Sequence, residues 1–252
     1  FKGYYLQYID GIPFKLKSTF DFSFMKEYGT VFKVYDDQDS GNICFGTEKD
    51  GQRYFVKFVG APTEQFGGDP ADAISRLKAT LPIYSDLKHE NLIELIEAKE
   101  IGDGFAMVFK WADSDCMGRM YPAAHRRFMQ LPINDRLAVF SDILSFLECV
   151  VSRNYVAIDF YDGSIMYDFV NGKTTICDID LFHKQPCVND MGRMWGSSRF
   201  QSPEEYQLGA DIDEITNVYT LGATAFALFG EYNRTREKWQ LSDKLFEIAT
   251  RA

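Results

Sequence analysis

"CDIDLF", residues 177–182, closes an apolar, β-branched run with two aspartates, Asp178 and Asp180, one residue apart. Upstream, "YVAIDFYDGSIMYD" carries Asp159 and Asp162. The intervening "IMYDFVNGKTTICDID" reads as two short strands joined by Asn171-Gly172, whose tolerance of positive φ suits a type I′ turn. Closing that hairpin is expected to bring the four carboxylates into one small region. Such crowding is repulsive by several kcal/mol unless cations relieve it, and a hard, oxygen-seeking ion such as Mg²⁺ is the matching counter-charge. Capping and turn aspartates are the plainer account of the same residues.

The elements that must position these acids fall into two halves. From Phe1 to about Ala112 short strands dominate: "YYLQYI", "TVFKVY", "NICFGTE", "RYFVKFV", "IELIEAKEI" and "FAMVFKWA". One helix interrupts them, opened by Asp69 as cap and Pro70 as first helical residue, running through "ADAISRLKATLPIYSDL" with a kink expected at Pro82. After Trp111, "DRLAVFSDILSFLECVV" has helical spacing, and "ITNVYTLGATAFALFG" is apolar on nearly every side. The expected fold class is α+β, with a β-rich lobe over 1–112, including an N-terminal extension over 1–28, and a helical lobe over 113–252. A cleft between such lobes is a common ligand site.

Bulk properties narrow the partners. A net charge of −10 and a pI near 4.8 disfavour nucleic acid and anionic membranes. The 5 cysteines are scattered without CxxC or Cys/His pairs, which argues against a disulfide framework or a zinc site and fits a reducing, cytoplasmic setting. The longest apolar run, 215–230, is too short and too polar for a membrane span. Phe1 is not a methionine and "LSDKLFEIATRA" is helical to the last residue, so the chain is expected to continue at both ends.

In order along the chain, five segments resemble the protein kinase family. "RYFVKF" resembles the strand with the phosphate-anchoring lysine, here Lys57, and "LKHENLIELIEA" the segment after the regulatory helix. "AIDFYDGSIM" resembles the catalytic loop, with Asp159 as catalytic base, and "CDIDLF" the metal-binding segment, with Asp178 as ligand. "GSSRFQSPEEY" resembles the end of an activation segment, followed by a central helix in which Asn217 replaces the family's buried Asp. The resemblance runs from about Val34 to Ala252 and implies a two-lobed fold with a helical lobe cut short at its C-terminal end. It further implies ATP with Mg²⁺ or Mn²⁺, adenine contacts from Ile43, Phe55, Met166 and the backbone of Lys110 and Ala112, and Phe109 as gatekeeper. Ser164 and Asp180 join Asp178 as implied metal ligands.

Departures are numerous. In the glycine-rich loop only Gly41 survives, with Asp36 and Gln38 in the other glycine positions, and Asp36, Asp37 and Asp39 place negative charge where phosphates usually lie. These acids fit a calcium loop poorly and read as a solvated turn. Ala157 and Ile158 replace His and Arg, Tyr161 replaces Lys, and Ser164 replaces a metal-binding Asn. No clear acidic partner for Lys57 is legible, Glu64, Asp72 and, in their place, Asp178 being the alternatives, and Phe55 would narrow an adenine site. His125 and His183 read as surface histidines, and Arg193 and Arg199 as solvated loop residues. The expected activity is transfer of the ATP γ-phosphate to a protein Ser/Thr hydroxyl; the alternative is a pseudokinase acting as a binding or scaffold module for a protein partner.

Overall fold

Two Asp-Gly pairs set the sharpest turns in the first third of the chain. Asp10-Gly11 joins β1 (Tyr5–Ile9) to β2 (Ile12–Leu16), and Asp50-Gly51 joins two longer strands; all four turn residues have positive φ, as type I′ hairpins require. The computed structural model describes residues 3–252; Phe1 and Lys2, the start of the extension read over 1–28, lie outside the described residues. Helices and strands are mixed in the α+β manner, and the chain divides into two compact units. The first takes in the described residues up to Pro82 and Ile93–Ala112; the second takes in Ile83–Leu92 and Asp113–Ala252.

The first unit is built on an antiparallel five-stranded sheet. Its strands are β3 (Thr30–Tyr35), β4 (Asn42–Lys49), β5 (Gln52–Val59), β6 (Leu95–Ile101) and β7 (Gly104–Lys110), in the order β3-β4-β5-β7-β6. The extension supplies Phe14, Phe20, Phe22 and Phe24, which pack edge-on or tilted against Phe45 and Phe58 of the sheet, with ring centroids 4.8–6.3 Å apart. The expected kinked helix is instead two: α1 (Pro70–Ala79) and α2 (Leu81–Asp86). Asp69 caps the first by accepting from the Ala71 amide at 2.9 Å, as its position predicts. The break falls at Thr80, because Pro82 lacks the N–H that would continue the ladder and is tolerated only in the first turn of α2.

In the second unit, α3 (Pro122–Met129), α4 (Ile133–Ser152), α5 (Glu214–Phe229) and α6 (Asp243–Arg251) surround short strands. Strands β8 (Asp115–Cys116), β10 (Ile165–Asp168) and β11 (Lys173–Ile176) form one sheet in the order β11-β10-β8. Strand β9 (Tyr155–Val156) pairs with β12 (His183–Lys184), and β13 (Cys187–Val188) with β14 (Asp211–Ile212). Helix α5 is buried along most of its length from Thr216 to Phe229, as its continuous apolar composition predicts. The β10–β11 turn differs from expectation: it spans four residues, 169–172, because Asp168 accepts from the Val170 and Asn171 amides and Gly172, at φ +65°, closes onto the Asp168 carbonyl. No helix among the described residues is long and apolar enough to cross a membrane.

Candidate functional site

Two backbone segments of the second unit carry the acids singled out by sequence. Residues 157–164 follow β9; the Asn217 side chain of α5 holds their start, accepting from the Ala157 amide at 2.7 Å and donating to the Tyr155 carbonyl at 3.0 Å. A side-chain amide serves a donor and an acceptor at once. Ser164, fully buried, closes the 162–164 turn with its hydroxyl toward the Tyr161 amide, and its carbonyl accepts from the Cys177 amide at 2.9 Å. That bond sets the segment bearing Asp178 beside the loop bearing Asp159.

Asp159 and Asp178 both adopt left-handed backbone, at φ +62° and +57°, a region unfavourable for non-glycine residues and concentrated at functional sites. Burial pushes the Asp159 carboxyl up to about 7, and the neighbouring charges of Asp178 and Glu205 add to the effect. Asp178 is exposed to solvent. The other two acids have their own partners. Asp162, buried, takes a bidentate ion pair from Arg199 at 2.7 and 3.1 Å and a hydrogen bond from the Tyr232 hydroxyl at 2.6 Å. Asp180 accepts from the Tyr84 hydroxyl at 2.8 Å.

The expected pooling of four carboxylates is therefore not what forms, since local partners divide them. Among the described residues no group of three or more His, Cys, Asp or Glu side chains is placed to hold a metal ion. A Mg²⁺ site needs fewer protein donors than that, because this ion uses one or two carboxylates and completes its shell with water and phosphate oxygens. An exposed Asp178 beside Asp159 fits that demand. Asp180 answers the question its position raises: it anchors the segment after Asp178 to Tyr84. We expect Tyr84→Phe, which removes the donor to a carboxylate, to lower unfolding stability by about 1–2 kcal/mol in chemical denaturation.

In the first unit Lys57 lies on β5, 8% exposed, in register with Cys44 and Met107. Ile43 is fully buried on β4. Phe55 faces Gly46 and Phe109 in register, and its ring sits 5.7 Å from Tyr35 and 6.4 Å from Phe109. The Lys110 amide donates to the Glu94 carbonyl at 2.9 Å, and Ala112 is half-buried just beyond. The acidic turn is tied down within this unit: Asp36 accepts from the Lys15 amide at 2.8 Å and Asp37 from the Gln65 side chain. Gly41 is required there, having φ +89° and room for no larger side chain against Ala73 and Phe66. A cavity of about 270 Å³ beside Phe20, Phe24 and Gly60 includes none of the candidate residues and is not the site.

Met166 lies on β10 of the second unit opposite Cys116 and Thr175. The 189–206 segment is closely bonded: Asn189 donates to the Gly192 and Glu204 carbonyls, and Glu205 accepts from both the Ser202 amide and hydroxyl. Two sequence readings change. Arg199 is not a solvated loop residue, because it pairs with buried Asp162; His125 is half-buried, its ring 5.6 Å from Tyr232 and Nδ1 2.9 Å from the Met117 carbonyl. Tyr84 and Tyr232 carried no sequence signal, since each reaches a partner far along the chain. No protein-family model matches the chain, and no curated protein sequence matches it.

Proposed function

We propose that the chain is a phosphotransferase of protein kinase type, with the two-lobed fold that this implies, moving the γ-phosphate of ATP to a protein Ser/Thr hydroxyl. The observation that carries the reading is the Asp159–Asp178 pair: two acids on left-handed backbone, one half-buried and pushed up to about 7, the other exposed. Environments that separate neighbouring carboxylates in this way suit different chemical roles. Asp159 orients the acceptor hydroxyl and takes its proton as the hydroxyl oxygen bonds to the γ-phosphorus. The bond from that phosphorus to the β–γ bridging oxygen breaks, and ADP leaves with the electron pair. Lys57 anchors phosphate oxygens. When bound, Mg²⁺ or Mn²⁺ would neutralise phosphate charge, with Asp178 as its carboxylate; Asp180 and Ser164, the other implied ligands, would join it only by giving up Tyr84 and the Tyr161 amide.

A second reading, a pseudokinase acting as a binding module, is favoured by the Tyr35–Phe55–Phe109 aromatic packing and by the bonded acidic turn at 36–37. Calorimetric titration of ATP with and without Mg²⁺ separates the two. The transferase reading expects metal-dependent binding that Asp178→Ala weakens at least tenfold. Absence of ATP binding under every condition would sink it in favour of the binding module.

A further inference from the structure

Several arginines of the second unit are held by aromatic rings rather than by carboxylates. Arg119 lies 5.3 Å over the Tyr232 ring, and Arg234 lies 4.8 Å over Tyr219 and 5.6 Å over Phe226. Both are exposed, and among the described residues neither makes an ion pair or a side-chain hydrogen bond. Two nearby acids are occupied, Glu231 by Lys238 and Asp243 by Arg236, while Glu237 of the same turn makes no ion pair among the described residues. A guanidinium laid on an aromatic face is oriented yet keeps its N–H edge open to an external acceptor.

The two rings that carry these arginines, Tyr219 and Tyr232, pack on one cluster with Phe200, Ala223 and Ala227, and Tyr161 packs on the same cluster. Tyr161 belongs to the loop of Asp159 and feels its charge. Beside Tyr232, Arg199 pairs with Asp162, so that carboxylate is already occupied. A cationic rim therefore borders the Asp159 loop in a chain of net charge −10.

We propose that Arg119 and Arg234 form a docking surface for an acidic protein segment, binding Asp or Glu carboxylates on either side of the hydroxyl presented to Asp159. The docking rests on charge complementarity; the fate of the hydroxyl rests on the transferase reading above. Carboxylates meet the open guanidinium edges in charge-assisted pairs, and recognition weakens with salt because both arginines are exposed.

The test uses a fluorescein-labelled peptide with a serine flanked by Glu and Asp, and its Gln/Asn counterpart, followed by anisotropy without nucleotide. The acidic peptide is expected to bind about tenfold tighter, a ratio that falls as salt rises and vanishes in Arg119→Gln/Arg234→Gln. Arg119→Lys should keep part of the preference, because charge survives while the planar fork is lost. Both side chains are exposed, and the single variants read the same ratio should the double variant be impaired. Equal affinity for the two peptides, or a preference that survives the double variant, overturns the docking surface. Arginine-dependent binding with no phosphate transferred from Mg²⁺-ATP leaves the docking intact and removes the transferase reading.

Discussion

Asp159→Asn is expected to be more stable than the native chain at pH 8. The sign follows from the carboxyl's position: its ordinary value of 3.8 applies in the unfolded chain, and burial with Asp178 and Glu205 nearby pushes it up to about 7 in the folded one. Between those values the folded chain holds a proton that the unfolded chain has released, so stability falls as pH rises; above about 7 the full penalty of a buried carboxylate is present. At about 1.36 kcal/mol per pH unit the ceiling is roughly 4 kcal/mol, and partial solvent access reduces the expected gain to about 2 kcal/mol. Asparagine keeps the shape and carries no charge. Its advantage should therefore be largest at pH 8 and shrink toward zero near pH 4, as measured by denaturation at several pH values. On the transferase reading proposed above, turnover should also drop by about 100-fold or more, the usual contribution of a positioned general base. An advantage over the native chain no larger at pH 8 than at pH 5 would contradict the raised-carboxyl account.

Arg199→Met should lower the unfolding free energy by about 3 kcal/mol, because it leaves Asp162 charged, buried and without its cation. The Asp162 side chain is 4% exposed and that of Arg199 28%, so the pair is largely withdrawn from water. The figure sits at the low end of the range for broken buried pairs because the Tyr232 hydroxyl still donates to the carboxylate. Adding Asp162→Asn to the same background removes the orphaned charge and should recover part of the loss. Guanidinium unfolding with an unchanged slope is the measurement. A loss below about 1 kcal/mol would mean that solvent reaches Asp162 readily enough to replace the arginine.

What the sequence discloses and what it conceals divide by distance along the chain. The strands, the Asp69 cap, buried α5 and the α+β class are legible because each depends on residues within a few positions. So is the β10–β11 hairpin that lies between the segments of Asp159 and Asp178. The break at Thr80 and the four-residue turn at 169–172 are also local, yet each depends on backbone bonds, the lost ladder at Pro82 and the Asp168 cap, that composition does not display. The partners that divide the acids are concealed for a different reason: Arg199 lies 37 residues from Asp162, Tyr232 lies 70 from it, and Tyr84 lies 96 from Asp180. No periodicity links such pairs. Histidine and arginine type alone suggests surface, and only the fold shows that His125 and Arg199 belong to an aromatic and ionic cluster.

The interleaving of the two units governs how the chain is made. Residues up to Pro82 provide three strands of the large sheet, but β7, which pairs with β5 from Tyr54 to Val59, emerges only after Ile83–Leu92 has been synthesised for the other unit. That ten-residue loan supplies Asn91, whose carbonyl accepts from Ile176 and whose amide donates to the Thr174 carbonyl, and Tyr84, which holds Asp180. A nascent chain released at 82 would leave the β5 edge open, an invitation to intermolecular strand pairing. A fragment beginning at 113 would lack the residues that seat β11. Neither unit is a cassette that can be transplanted by one cut, and insertions or fusions are better tolerated at exposed turns such as Asp50-Gly51 than at the apparent seam near 112.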